Sequence, residues 1–301
     1  MPNLGLTPEA LHAINPNLIV VTLPGYGRGG PWENYVGFGF PFEQVGICCS
    51  LTGYPDGPPK QMGGFVDPFS GLHSFIAITL ALRAREESGT GQTVEIPQAE
   101  VVDALWGPEF IAVQHGATVP QRCANQHARM APHNAYRVAG DDNWLTIAVG
   151  SDAEFHALAK SLGHEQWASD ARFATVAARK ANEAALDAEL SLALRERDQL
   201  ATERDLQAAG VAACRVTYGP RMDEDEGLQH VGFFQVIDHP VRGPHPFHTF
   251  PIRFAGFPMS HLCASPMFGE HNRDVLVGEI GLSEAEYNGL EANKVTGIWI
   301  E

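Results

Sequence analysis

The chain has 301 residues, of which 44% are hydrophobic and 19% are charged, and its net charge at pH 7 is −16. This composition is typical of a globular chain with a sizeable core, in one large or two smaller domains. The acidic balance argues against a nucleic-acid partner, because binding to phosphates requires a basic face, and no apolar run is long enough to span a membrane.

A short helix and a buried strand are the first predicted elements. Helical spacing covers residues 7–13, and "NLIVVTL" predicts a strand over residues 18–23 that ends in a Pro-Gly turn. Strand ends of this kind border the ligand crevices of open α/β sheets. A stretch rich in glycine and proline, residues 24–66, follows and is predicted to form a loop.

Residue patterns in the middle of the chain predict a long helix, a second strand and another helix. The long helix runs from Pro68 to about Glu87 and ends at Ser88-Gly89. "QTVEIPQ" at 92–98 predicts the strand, and residues 99–115 predict the second helix. This alternation of strand and helix indicates part of a doubly wound, Rossmann-like parallel sheet.

A smaller α+β region is predicted from residue 116 onward. Two strands, 135–139 and 144–149, flank a turn, and Ser151 with Glu154 predicts a capping box for a helix through Leu162. Further helices are expected over 177–209 and strands over 211–255, and "SEAE" at 283–286 caps a last helix. We therefore predict three regions: 1–115, 116–255 and a C-terminal return segment, 256–301.

Asp67 is the first candidate site residue. It stands directly before Pro68 at the predicted helix start, which is typical of an ordinary N-cap. The same position suits a carboxylate nucleophile, because free N–H groups and the helix dipole favour the ionised form. Gly63 and Gly64 would let a substrate approach closely, since neither has a side chain.

The histidines and glycine-rich segments give weaker signals. His239, His245 and His248 fit no zinc-ligand spacing, so we expect turn histidines and no metal site. The loop 116–133 is either a cover over a pocket or a simple connection. "GYGRGG" at 25–30 leads into Pro-Trp rather than a helix, so it is weak evidence for phosphate binding.

The five cysteines are odd in number and have no C-x-x-C spacing, which predicts reduced thiols in a cytoplasmic protein.

Several segments, taken in order, resemble the family III CoA-transferases, the group that includes formyl-CoA and carnitine CoA-transferases. The segments are "INPNLIVVTLPGYGRGGP" (14–31), "SLTGYPDGPP" (50–59), "VDPFSGLHSFIAITLALRARE" (66–86), "GTGQTVEI" (89–96), "AAGVAACRV" (208–216) and "MFGEHNRDVLVGEIGLSEAE" (267–286). One such motif is weak evidence, but the ordered set covers nearly the whole chain.

The resemblance implies a catalytic aspartate and a set of binding residues. In the family, the first Asp of a D-x-x-x-G segment is the covalent nucleophile, and that position here is Asp67. The implied reaction moves CoA from an acyl-CoA to a carboxylic acid through an aspartyl-CoA thioester, with no permanently bound cofactor. The residues that we expect to bind substrate or CoA are Gly25, Tyr26, Gly27, Phe38, Gly39, Gly63, Gly64, His127 and Met130.

Three departures from the family pattern shape the remaining expectations. Against the family pattern, we expect the chain to lack the usual N-terminal half of the nucleotide-type domain, either because another polypeptide supplies it or because the chain is a truncated product. We therefore expect an interlocked homodimer or a complex with a chain that supplies that half. Phe38 stands where the related acyl-CoA racemases have an acid/base histidine, and Gly39 lacks a carboxylate. The Gly-rich flap of formyl-CoA transferase is absent, and residues 122–136 occupy its place. The alternatives are a racemase of this fold and a non-catalytic, CoA-binding subunit.

Overall fold

A computed structural model describes residues 2–257 and 260–297 and divides the chain into two compact units, Met1–Arg215 and Val216–Glu301. The division falls at residue 215, whereas the sequence predicted boundaries after residues 115 and 255. The three-part division stays a prediction. None of the described helices is long and apolar enough to cross a membrane.

A two-stranded parallel sheet lies near the start of the first unit. The strands are β1, Val20–Thr22, and β2, Thr93–Glu95, and their register pairs Val21 with Val94. Helix α1, Pro8–Ile14, precedes β1, and Thr7 caps it by accepting a hydrogen bond from the Ala10 N–H at 3.2 Å. Both predicted strands therefore exist, although each is three residues long.

Two short helices occupy the stretch that was predicted to be a loop. They are α2, Gly39–Val45, and α3, Cys48–Leu51. The prediction of a loop is wrong here, because Phe42, Cys48 and Cys49 pack with residues distant in sequence in a small apolar cluster. Tertiary burial of this kind outweighs the weak helix propensity of glycine and proline.

The long helix α4, Val66–Ser88, connects the two parallel strands and confirms the predicted helix with a shifted start. Its end is also confirmed: Gly89 has a φ of +72° and its N–H donates to the Arg85 carbonyl at 2.8 Å. The single helix predicted over 99–115 is instead two, α5, Gln98–Ala104, and α6, Gly107–Gln114. Pro108 lies in the first turn of α6, where its missing N–H is tolerated, whereas it would break a continuous helix.

A three-stranded antiparallel sheet forms the main core of the first unit. The strands are β3, His133–Arg137, β4, Trp144–Ala148, and β5, Ala212–Arg215, in that order. The helices of this region are α7, Asp152–Ser161, α8, Val176–Ala181, α9, Glu183–Leu194, and α10, Gln199–Ala208. Residues of this sheet and these helices, such as Leu145, Phe155 and Leu190, are fully buried in one cluster. The predicted capping box of Ser151 and Glu154 is confirmed at the start of α7.

The second unit contains a β-hairpin and short helices. The hairpin pairs β6, Phe234–His239, with β7, Gly243–His248, in antiparallel register, after helix α11, Glu226–His230. Helix α12, Glu284–Ala292, begins with the predicted capping box of Ser283 and Glu286. This unit also has 3-10 helix over Gly219–Glu224, kinked at Arg221, and a π-helical turn over Asp274–Glu279. In the first unit, short 3-10 helices span Pro2–Leu4 and Glu165–Ser169.

Gly91 leads into β2 at a point where the backbone leaves no room for a side chain. A Cβ there would overlap the carbonyl oxygen of Leu18, just before β1. We expect Gly91→Ala to lower the free energy of unfolding by about 1–3 kcal/mol, because two backbone segments would have to separate. Gly107→Ala is the matched control, since nothing lies within 4 Å of its Cβ position. Urea denaturation that shows equal losses for the two variants would contradict this packing.

Candidate active site

Asp67 lies in the first turn of α4 but does not cap it. The N-cap residue is Phe65, which has helical dihedral angles and makes no side-chain capping bond. The N-cap interpretation of Asp67 is therefore wrong, because the helix begins one residue before the aspartate. The exposed carboxylate of Asp67 instead accepts a hydrogen bond from Gln98 Nε2 to Oδ1 at 3.3 Å.

Gln98 ties the Asp67 carboxylate to the carboxyl ends of the two parallel strands. It is the first residue of α5, shortly after β2, and its N–H donates to the Pro24 carbonyl at 3.0 Å. The next N–H, of Ala99, donates to the Gly25 carbonyl at 3.0 Å. The loop after β1, the start of α5 and the start of α4 therefore meet at one place, as expected for a crevice at strand ends.

Glycines surround the Asp67 carboxylate. A Cβ built on Gly39, the first residue of α2, would lie 3.5 Å from Asp67 Oδ2 and 3.5 Å from the Gly64 Cα. Gly63 and Gly64 have φ values of +97° and +85°, a region that side chains other than glycine rarely adopt. The structure thus brings Gly39, Gly64 and Asp67 together, with Val66 Cγ1 3.4 Å from the Gly39 Cβ position.

Of the other predicted residues, Gly25, Tyr26 and Gly27 follow β1, and Phe38 lies directly before α2. A Cβ on Gly25 would overlap the Phe42 ring, and the Tyr26 ring packs edge-on against the same ring with centroids 5.1 Å apart. Gly27 is buried with a φ of +81°. Phe38, directly before α2, is 84% exposed. Phe42 therefore links the Gly25–Gly27 turn to the helix that adjoins Asp67.

Two backbone donors of the "GYGRGG" segment are occupied by carboxylates. The Arg28 N–H donates to Glu95 Oε1 at 2.9 Å, and the Gly29 N–H donates to Glu33 Oε2 at 2.6 Å. Negative side chains at these donors oppose the approach of a phosphate. This arrangement agrees with the weak sequence evidence for a phosphate site.

His127 and Met130 belong to a different neighbourhood. The His127 ring faces His133 with centroids 5.2 Å apart, and its Nδ1 accepts the Arg129 N–H at 3.1 Å. The side chain of Met130 reaches within 4.0 Å of the Cβ position of Gly150, after β4. These contacts are with the three-stranded sheet and its loops, and the contacts of the described residues do not join them to Asp67.

Arg122 fastens the loop that carries His127 and Met130. Its guanidinium donates to the backbone carbonyls of Ser50, Tyr54 and Gly57 at 3.2, 3.3 and 3.1 Å. The Ala124 N–H adds a bond to the Gly53 carbonyl at 2.9 Å. The loop is therefore attached to the segment after α3, which sequence patterns alone did not indicate.

Two residues at the site were missed by sequence reasoning. Gln98 had a usable signal, because it follows a strand directly and polar residues at strand ends often face a crevice. Glu43 had none, because its surroundings were predicted to be a loop. Glu43 is fully buried in α2, and its Oε2 accepts the Met62 N–H at 3.2 Å.

Two buried thiols lie beside Glu43. Cys48 Sγ donates to the Glu43 carbonyl at 3.1 Å and lies 4.0 Å from Cys49 Sγ. Burial raises the pKa of Cys48 to about 12, with smaller contributions from Cys49 and Glu43, and burial also raises the pKa of Cys49. Both side chains therefore behave as packing groups rather than as nucleophiles.

The three histidines near residue 240 lie in strands and not in turns. His239 is in β6, and His245 and His248 are in β7. Nδ1 of His239 accepts the Val241 N–H at 3.2 Å, which closes the hairpin. Over the parts of the chain that the structure describes, no group of three or more His, Cys, Asp or Glu residues is arranged to hold a metal ion.

Comparison with known proteins identifies the class to which this fold belongs. The model of CoA-transferase family III matches residues 1–272. Succinyl-CoA–D-citramalate CoA-transferase of Chloroflexus aurantiacus is 31% identical over 294 residues, which are 97% of this chain and 72% of the relative. Succinate–glutarate CoA-transferase of Agrobacterium fabrum is 30% identical, over 90% of this chain and 68% of the relative.

A solved structure gives the same result for the fold. The crystal structure of a CAIB/BAIF family protein from Brucella suis superposes with a TM-score of 0.83 at 30% identity, covering 92% of this chain and 72% of that one. The chain therefore belongs to CoA-transferase family III and has the mixed α/β fold of that family. The resemblance noted in the sequence, and the prediction of a CoA-transferase, are confirmed at this level.

The different burial of the cysteines predicts selective alkylation. Iodoacetamide at pH 8 should modify the exposed Cys123 in the native protein while Cys48, with a pKa of about 12, stays unmodified. Peptide mass spectrometry over time gives the rates, and the urea-denatured protein is the control in which both thiols should react. Equal rates of alkylation for Cys48 and Cys123 in the native protein would show that the cluster around α2 and α3 is open to solvent.

Proposed function

We propose that this chain transfers CoA from an acyl-CoA to a carboxylic acid, with Asp67 as the covalent nucleophile. The observation that carries the proposal is the state of its carboxylate. It is exposed, it lies in the first turn of a 23-residue helix, and it is not used as a cap. An exposed carboxylate that does not cap its helix, has Gln98 as its hydrogen-bond partner and lies beside glycine backbone is suited to covalent chemistry.

The proposed reaction consists of four acyl exchanges that conserve charge. An Asp67 oxygen attacks the thioester carbon of the donor, the C–S bond breaks, and CoA thiolate leaves an acyl-aspartyl anhydride. The thiolate attacks the Asp67 carbonyl carbon and expels the donor carboxylate, which gives an aspartyl-CoA thioester. The acceptor carboxylate displaces the thiolate to form a second anhydride. The thiolate then attacks the acceptor's acyl carbon and frees Asp67.

The start of α4 supplies the electrostatics for these steps. The positive end of the helix dipole stabilises the ionised carboxylate and the oxyanions that develop at each attack. Gln98 holds Oδ1 by its amide, at 3.3 Å, so that Oδ2 faces Gly39. Gly39 and Gly64 leave space for the pantetheine end of the substrate to approach Asp67.

The remaining binding residues are proposed in two groups. Gly25, Tyr26, Gly27 and Phe38 would contact the pantetheine and acyl parts, since they lie in the loops that lead to α2 and α5. His127 and Met130 would contribute only if their loop extends over the crevice, as a cover. We also propose a cytoplasmic location, because acyl-CoA substrates are intracellular metabolites.

Succinyl-CoA is the first donor to test, because two similar proteins are named for succinyl or succinate transfer. D-citramalate and glutarate are the matching acceptors. Phe38 stands in the position of the racemase histidine, and a phenyl ring cannot exchange a proton. We therefore expect no exchange of a substrate's α-hydrogen with deuterated water, and exchange without CoA transfer would indicate a racemase.

Replacing Asp67 by Asn tests the nucleophile. Asn keeps an oxygen to accept the Gln98 bond but cannot form the anhydride, so we expect CoA transfer to fall by about 1,000-fold or more. The free energy of unfolding should change by about 0.5 kcal/mol or less, because the residue is exposed and does not cap the helix. The measurements are acyl-CoA transfer by chromatography and urea denaturation.

A trapping experiment can detect the covalent intermediate on Asp67 directly. Hydroxylamine added during turnover should convert the aspartyl thioester to a hydroxamate on the Asp67 peptide, visible by mass spectrometry. Asp141→Asn, in the exposed turn between β3 and β4, is the matched control and should retain full activity. Full activity in Asp67→Asn with no modified peptide would refute the nucleophile assignment.

We also propose that the functional form is an oligomer, in the first place a homodimer. Much of α4 is apolar but exposed: Leu72, Phe75 and Leu80 are 60%, 71% and 63% exposed. The residues that α4 buries are few and mostly small, Val66, Ser70, Ser74 and Ala81. A helix with apolar residues on its exposed sides is typical of one that is covered in the functional assembly.

Light scattering of the purified chain tests the assembly. We expect the mass of at least two chains at micromolar concentration and a shift toward one chain in Phe75→Glu, because a charge in an apolar interface costs several kcal/mol. Leu192→Glu in α9 is the control, since Leu192 is also 71% exposed but lies on a helix that packs against β3 of the three-stranded sheet. A stable, soluble monomer of the unaltered chain would contradict the proposal.

A further inference from the structure

A buried carboxyl group lies beneath the glycine loop that leads to Asp67. Glu43 is 0% exposed, and its Oε2 accepts the Met62 N–H at 3.2 Å. Its Oε1 is buried as well and has no hydrogen-bond partner among the described residues. Burial of a carboxyl group with incomplete hydrogen bonding destabilises a fold, so apolar packing alone does not account for a glutamate here.

The position of Met62 gives Glu43 a connection to the site. Met62 is followed by Gly63 and Gly64, both with positive φ, and the helix of Asp67 begins two residues later. Glycine allows these dihedral angles but does not enforce them, because it adopts many others at equal cost. The conformation of this loop must therefore be fixed from outside.

Helix α2 contacts the loop at two points. Its first residue, Gly39, lies against the Gly64 Cα and the Asp67 carboxylate, each 3.5 Å from the Gly39 Cβ position. One turn later Glu43 accepts the Met62 N–H, so the same face of α2 holds both ends of the segment 62–67. The Thr52 hydroxyl adds a weak bond to Met62 Sδ at 3.4 Å.

We propose that Glu43 is a positioning residue that fixes residues 62–64 and thereby orients the Asp67 carboxylate toward the substrate. This inference rests on the proposed function of Asp67. Glu43 takes no part in bond making. It acts through the Met62 N–H on the backbone that carries the nucleophile, and displacements of about 1 Å at such a group cost on the order of 100-fold in rate.

Two substitutions at this position separate the positioning role from others. Glu43→Met has a similar length but no strong acceptor, so the loop should loosen. We expect kcat and kcat/KM for acyl-CoA to fall together, by on the order of 10- to 100-fold, while KM stays constant. Glu43→Gln keeps an acceptor for the Met62 N–H and should recover most of the lost rate.

Hydrogen exchange reports on the loop without any need for activity. The Met62 amide of the full-length chain should exchange faster in Glu43→Met than in the unaltered protein, and its protection should return in Glu43→Gln. Glu203→Met is the control. Glu203 is another buried glutamate, whose Oε1 accepts the Arg215 N–H at 2.9 Å beside the three-stranded sheet. The Glu203→Met variant should have a lower free energy of unfolding, but the exchange rate of the Met62 amide and kcat per folded chain should not change.

The outcomes distinguish this inference from the proposed function. Unchanged Met62 exchange in Glu43→Met, or equal losses of kcat in the Gln and Met variants, would overturn the positioning role. If the unaltered chain transfers no CoA and Asp67 carries no intermediate, the proposed function fails. The exchange experiment then decides by itself whether Glu43 fixes the loop.

Discussion

The packing of α2 against the start of α4 is the constraint on which the site depends. Phe42 of α2 and Val66 of α4 lie in one apolar cluster with Val102 of α5, so three segments distant in sequence are held at a common point. Asp67, whose carboxylate is exposed, directly follows Val66 of this cluster.

In the first unit, the large hydrophobic core and the candidate site lie on different sets of elements. The three-stranded sheet and its helices contain the large cluster of fully buried residues, among them Leu145, Phe155 and Leu190. The parallel pair of strands is short, and around it the chain relies on glycines, two short helices and a few hydrogen bonds. Active sites are commonly formed from such less stable elements carried by a rigid scaffold, since substrate access requires backbone that is not fully packed.

The polar contacts in this region connect segments that are distant in sequence, and each contributes little to the stability of the chain. Gln98 joins α5 to Asp67, and Arg122 joins a long loop to the segment after α3 through three backbone carbonyls. Each bond is worth about 1 kcal/mol in stability, and each fixes the relative placement of two segments that are distant in sequence. We therefore expect these bonds to affect the positions of the segments more than the stability of the chain.

Local sequence patterns were enough to predict several helix ends and, through the resemblance, the family. The end of α4 at Gly89, the capping boxes at Ser151 and Ser283, and the ordered family segments all depend on residues close together in the chain. The folded structure was needed to see that Asp67 lies within the first turn of a helix, that α2 exists, and that Gln98 and Glu43 reach the candidate site. Gln98 meets a partner 31 residues away and Glu43 one 19 residues away. Contacts of this kind follow from how the clusters pack, because neighbouring residues do not encode which distant segment will cover them.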